Sequence, residues 1–213
     1  MAILKEDILN KLRAYVDTPD DETIRYKEKI KQTLLKCPEL LYALHEEKLE
    51  QELFIENENG ELVLNIDEKT GELLGEVDRY FGENANIRPY LFVPETQTVV
   101  KNYICYQVMF DELPRYNDTQ KYTQIVFTIF VHGKDREDKS TGIPRHDLLA
   151  SIIREKFNWT NTFGMQTHVV TSKESTTDND FLVKTLIFQI TDTNGIVNTP
   201  YKGNSTAINR IGR

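Results

Sequence analysis

The stretch GKDREDKSTG, from Gly133 to Gly142, has the ingredients of a phosphate loop: two glycines, lysines and hydroxyls. A Walker-type loop needs two glycines four residues apart followed directly by Lys and Ser/Thr, so that successive amides cradle phosphate at a helix start. Here the spacing is wrong and several acids stand where phosphate would sit, so the stretch reads as a solvated connector between a strand and a helix. His45-Glu46-Glu47 lies on a helix without the second histidine of H-E-x-x-H. His132, His146 and His168 fall near a strand end, near a helix start and on a strand, and nothing in their spacing forces convergence on zinc. No G-x-S-x-G elbow occurs.

The carboxylates have ordinary explanations. Asp17, Asp20, Asp21 and Glu22 fit the acidic first turn of a helix, whose exposed N–H groups form a positive end. Asp178 and Asp180 sit in a turn-like segment, where Asp bonds nearby backbone. A metal-dependent nuclease would place such acids on a sheet beside a basic surface, and no such pairing is legible. Cys37 and Cys105 have no activating base nearby in sequence and read as reduced, buried thiols. Trp159 reads as core or as an interface anchor. Tyr103, Tyr106, Phe110, Tyr116, Tyr122, Phe127 and Phe130 could stack single-stranded bases, but in an acidic chain they read as strand formers. No catalytic residue, metal ligand or cofactor is expected.

The elements that carry these residues follow from periodicity. Ile8, Leu9, Leu12, Tyr15 and Val16 share one helix face. A second helix starts at Thr18-Pro19 and presents Ile24, Ile30, Leu34 and Leu35; a third follows Pro38. Asn59-Gly60 predicts a type I′ hairpin turn, Thr70-Gly71 a second turn, and a short helix over 72–81 is the competing reading. IRPYLFVP predicts an edge strand between prolines. YICYQVMF and KYTQIVFTIFVH predict two strands, the second apolar on both faces and therefore central. RHDLLASIIREKFNW is helical through Leu148, Leu149, Ile152, Ile153 and Phe157. MQTHVVTS and FLVKTLIFQIT are strands, with Lys184 the odd member of an apolar face. The predicted fold is α+β: a mostly antiparallel sheet covered by one main helix, with an N-terminal helical segment.

Three regions result: a helical and acidic hairpin segment at 1–86, an α+β core at 87–195 and an extended tail at 196–213. The chain of 213 residues carries net charge −8, with 39% hydrophobic and 28% charged residues. Residues 1–86 hold 11 basic and 21 acidic side chains, and residues 87–213 hold 15 and 13. That balance argues against a dedicated nucleic-acid binder, and the split implies two surfaces with different neighbours. No apolar run approaches the ~20 residues of a membrane span. The start, MAILKEDILNKL, does not read as a secretory signal.

IRPYLFVP, YICYQVMF, IVFTIFVH, GIPRHDLLASIIREKFNW and FLVKTLIFQITDTN together resemble the neck proteins of tailed bacteriophages, of the tail-terminator or tail-completion type. The resemblance implies β-hairpins paired with a helix and a homo-oligomeric ring, most simply a hexamer, at the head–tail junction of the virion after synthesis in host cytoplasm. It implies the tail tube protein and the head connector or stopper as partners. DNA would pass through the lumen without specific binding, and no membrane would be involved. Another neck component, a stopper or connector, is the alternative, with a metal-dependent nucleic-acid enzyme behind it. Candidate contacts between subunits or with neighbours are Tyr90 and Phe92 on the edge strand, Lys134 and Arg136 on the connector, and Tyr201, Lys202 and Arg210 on the tail.

Overall fold

A computed structural model describes residues 5–14, 22–67, 69–95, 100–110, 120–177, 179–193, 196–198 and 205–207. Helices α1 (Lys5–Ala14), α2 (Glu22–Leu35), α3 (Pro38–Ala43) and α4 (Glu47–Leu53) lead into a small hairpin of β1 (Phe54–Glu56) and β2 (Leu62–Leu64). A five-stranded sheet follows: β3 (Ile87–Arg88), β4 (Tyr103–Phe110), β5 (Gln120–His132), β6 (Thr167–Thr176) and β7 (Phe181–Thr193), in spatial order β3-β4-β5-β7-β6. Helix α5 (Arg145–Phe157) connects β5 to β6. The fold is α+β and mostly antiparallel, and β5 is the middle strand. No helix of the described residues is long and apolar enough to cross a membrane.

Strand alternation sets the two faces of the sheet. Ile104, Tyr106 and Val108 of β4, Ile125, Phe127 and Ile129 of β5, and Leu186, Phe188 and Ile190 of β7 point to one side. Leu149, Ile153 and Phe157 of α5 meet them there, together with Ile30, Leu34, Leu40, Leu41, Leu49 and Leu53 of the N-terminal helices. This core is continuous across residue 86. Ile152 is only partly buried, so the inner stripe of α5 is Leu149, Ile153 and Phe157. The opposite side of the sheet carries a smaller cluster of Tyr103, Cys105, Phe130, Phe181 and Val183. Both cysteines are free and buried, and burial pushes the Cys37 thiol up to about 11.

Several expectations are corrected. Only Ile87 and Arg88 of the expected edge strand pair, in parallel with Ile104 and Cys105. Residues 89–95 leave the sheet because Pro89 has no N–H to offer a ladder. The Asn59-Gly60 turn is not type I′: Gly60 alone has positive φ (77°), and its N–H bonds the Asn57 carbonyl at 3.0 Å, a longer loop closed by a glycine bulge. The competing helix over 72–81 is a single 3-10 turn, Val77–Tyr80. The third helix is two, broken at His45, whose φ is 55°. Ile8, Leu9 and Leu12 of α1 stay exposed. Within the tail, read as extended, β8 (Ile196–Asn198) and β9 (Ser205–Ala207) pair antiparallel.

Candidate functional site

Arg145, at the first turn of α5, is 2% exposed and organises the end of the sheet beyond His132. Its Nε lies 3.0 Å from Asp135 Oδ2 and its Nη1 donates to the Ala43 carbonyl at 3.0 Å. Nη2 donates to the Glu137 carbonyl at 3.4 Å, and Asp138 Oδ1 lies 3.5 Å from Nη1. Asp135 also accepts Asn102 Nδ2 at 2.7 Å and pairs with His45 Nδ1 at 3.0 Å. Asn102 Nδ2 donates again to the Leu44 carbonyl at 3.0 Å, and its Oδ1 accepts the His132 N–H at 3.0 Å. The break at His45 thus has a cause. The last carbonyls of a helix lack partners within it. Those of Ala43 and Leu44 are taken by Arg145 and Asn102, and the turn swings His45 onto Asp135.

The connector is therefore no free arm. Asp138 Oδ2 accepts Ser140 Oγ at 2.5 Å, Thr141 Oγ1 at 2.8 Å and the Thr141 N–H at 3.0 Å. Its backbone closes a turn, with the Asp138 N–H on the Ile143 carbonyl and the Gly142 N–H on the Asp138 carbonyl. The acids that spoil a phosphate loop here fold the connector onto a buried arginine.

Lys184 has a similar explanation. A β-bulge between Val169 and Thr171 shifts β6 by one residue, so that Glu174 rather than Lys173 stands opposite Lys184. Lys184 Nζ lies 2.5 Å from Glu174 Oε1 and 2.9 Å from Asp147 Oδ1 of α5. His146, Asp147 and Glu174 bring ligand-type atoms within 4.8 Å of one another. The ammonium of Lys184 already lies between the two carboxylates, where a cation would have to sit. Burial pulls Lys184 down, but Glu174 and Asp147 outweigh it and hold the ammonium above its ordinary value.

These pairs predict a pH profile. The Lys184 hydrogen bond lowers Asp147 below its ordinary 3.8, and the Ser140 and Thr141 hydroxyls lower Asp138. A carboxylate whose folded value is depressed contributes stability that is full above its unfolded value and lost as pH falls through the folded one. The urea midpoint should be level from pH 7 to about 5 and fall below about 4. Asp147→Asn should flatten that fall, and an unchanged slope would remove this pair as a cause.

The expected contact residues lie as follows. Phe92 packs on Tyr103 at 5.4 Å, with the Arg88 guanidinium 3.8 Å over its ring. Tyr90 is 39% exposed. Lys134 is exposed, and Arg136 reaches Asp180 at 3.3 Å. Asn179 Nδ2 donates to the Pro94 carbonyl at 3.1 Å, and the Gly133 N–H donates to the Asp180 carbonyl at 2.7 Å. A Cβ at Gly133 would run into the Asp180 carboxylate, which would have to turn aside. The turn before β7 consequently joins 89–95 and 133–136 into one patch, rather than two separate halves of a contact. Tyr201, Lys202, Arg210 and Asp178 lie outside the described residues.

Sequence reasoning did not single out an open groove among the described residues. A groove of about 390 Å³ runs between α3, α5 and the β1–β2 hairpin, over Tyr42, Phe54, Leu64, Leu148 and Ile152, with Glu39 and Asp138 among its polar groups. A second pocket of about 160 Å³ shares Tyr42, Asp138 and Ser140 with it. The surrounding segment, residues 37–76, contains twelve acids and two lysines, more than the whole net charge of −8.

Fold and site together define an α+β protein whose buried charges brace its loops and which carries, among its described residues, an apolar-floored groove with acidic groups. Residues 38–190 match the YomW family, more than half of the 213 residues, and the chain belongs to that family. YomW is a phage-derived, prophage-type family, which associates the chain with phages. No curated protein matches the chain.

Proposed function

We propose that this protein is a structural subunit of a phage neck that closes into a homo-oligomeric ring, most simply six-fold. The ring would cap the tail tube and join it to the head connector, without catalysis of its own. The observation that carries this reading is the segregation of charge in a chain of phage-derived family. Residues 37–76 hold a net −10, while the remaining residues hold +2. A closed ring uses a heterologous contact, one patch meeting a different patch on the next copy. Unlike charge on two surfaces steers that contact and fixes its register. The patch of Tyr90, Lys134 and Arg136 is a candidate for the less acidic side. An acidic lumen would also let DNA slide, because cationic phosphate contacts are what hold it.

Sedimentation and native mass spectrometry of the purified protein test this. The expected result is a ring of uniform size that dissociates as salt rises. A protein that is monomeric both alone and in purified particles overturns the ring. Nucleic-acid turnover in Mg²⁺ or Mn²⁺, abolished by Asp180→Asn, overturns the purely structural role.

A further inference from the structure

The β1–β2 hairpin is apolar on both faces. Ile55 pairs with Val63, and alternation turns this pair away from Phe54 and Leu64, which line the groove. Ile55 is 48% exposed and Val63 37%. Exposed apolar residues gathered in one place mark an interaction surface. Glu56, Glu58 and Glu61 stand exposed around this pair. Among the described residues none of the three has a lysine or arginine within ion-pair distance.

A surface of the opposite charge lies around residues 88–95. Leu91 is 48% exposed and Val93 58%. The Arg88 guanidinium lies over the Phe92 ring, and Lys101 Nζ is 5.7 Å from the Tyr103 ring on which Phe92 packs. Lys134 belongs to the same patch through the bonds of Gly133 to Asp180 and of Asn179 to Pro94. Among the described residues Arg88, Lys101 and Lys134 have no carboxylate within ion-pair distance. Arg88 is 7% exposed, so its charge is balanced there only by ring faces and the Ala85 carbonyl. A buried cation without an anion asks for one from outside.

We infer that the β1–β2 hairpin of one copy docks on the 88–95 patch of a second copy, Ile55 and Val63 against Leu91 and Val93, with the hairpin glutamates toward Arg88, Lys101 and Lys134. Two features select a second copy. Within one chain both surfaces are already held in place. Asn65 bonds the Glu52 and Leu53 carbonyls and fixes the hairpin to α4, while Asn179 and Asp180 fix the patch. No hydrogen bond or ion pair of the described residues joins the two. Charge then sets the direction of the contact. Hairpin on hairpin would bring acid to acid, and patch on patch cation to cation. Only a head-to-tail contact joins unlike charges, and such a contact is heterologous.

The inference rests on the ring reading for its setting, and one experiment separates the two. A photo-crosslinking phenylalanine replaces Val63, an apolar group for an apolar group, in the full chain. Light and 15N-labelled copies are mixed at high salt, returned to low salt, irradiated and digested, and the crosslinked peptides are read by mass spectrometry. The expected product joins position 63 to residues 88–95 in light–heavy pairs. Lys101→Glu with Lys134→Glu should lower its yield about tenfold, because like charges then face each other. Adding Glu58→Lys with Glu61→Lys should restore the yield, which also shows that the reversed chain folds. Crosslinks elsewhere, none at all, only light–light and heavy–heavy pairs, or a yield that ignores the reversal or is not restored overturn the inference. Particle size reads the ring independently. A ring whose crosslinks fall elsewhere rejects the hairpin contact alone. Light–heavy crosslinks to 88–95 in particles that do not close support the contact while rejecting the ring.

Discussion

Arg145→Met should lower the free energy of unfolding by about 3–5 kcal/mol, the cost of breaking a buried ion pair from one side. The arginine is 2% exposed, so water replaces none of what it gives up. Asp135, itself 9% exposed, loses its guanidinium, and the Ala43 and Glu137 carbonyls lose their donors. Arg145→Lys should recover little. One ammonium cannot span Asp135 and two carbonyls that lie in different directions. Adding Asp135→Asn to Arg145→Met should restore part of the loss, because it removes the stranded charge. Urea denaturation of the three variants measures this. A cost below about 1 kcal/mol for Arg145→Met would mean that the network braces nothing.

Phe157→Ala should cost about 3–5 kcal/mol, in the range for a large aromatic deleted from a core. Its ring is fully buried, 5.1 Å from Phe127, 5.9 Å from Phe163 and 6.2 Å from Phe188. These partners come from β5, from the loop after α5 and from β7, so the cavity is walled by separate elements and cannot collapse readily. Ile152→Ala is the control on the same helix. Ile152 faces the groove and is partly exposed, so its loss should fall below about 2 kcal/mol, under the range for a fully buried isoleucine. Equal costs at the two positions would mean that the helix is rotated from the orientation described.

The sheet and α5 were legible in the sequence because their signals are local. Alternation in YICYQVMF and KYTQIVFTIFVH sets their inner faces, and helical spacing gives the stripe Leu148, Leu149, Ile152, Ile153 and Phe157, of which Leu148 and Ile152 are only partly buried. The errors come where a distant partner overrides a local signal. A helix through His45 is the better local reading of PELLYALHEEKLE, and only Asn102 and Arg145 break it. The connector looks solvated because its acids are many, and nothing near it announces a buried arginine. IRPYLFVP has strand residues, but Pro89 removes the donor that a ladder needs there. Lys184 could be flagged as out of place, whereas the bulge that supplies Glu174 has no signature in VVTSKE. The groove was not legible at all. Its walls come from α3, the hairpin and α5, and a concavity between elements leaves no pattern in any one of them.

The span of the Asp135 network along the chain has a kinetic meaning. Asp135 is 33 residues from Asn102 and 90 from His45, while Asn102 is 58 from Leu44 and Arg145 is 102 from Ala43. Each link closes a long loop, and that entropy is spent before the contact returns anything. The hairpins and helices can form without these links, but the links need the sheet and helices α3 and α4 already in place. They are expected to close after the folding barrier. Weakening them should leave the refolding rate nearly unchanged and show almost wholly as faster unfolding. The buried arginine would then govern how long a folded chain lasts rather than how quickly it is made.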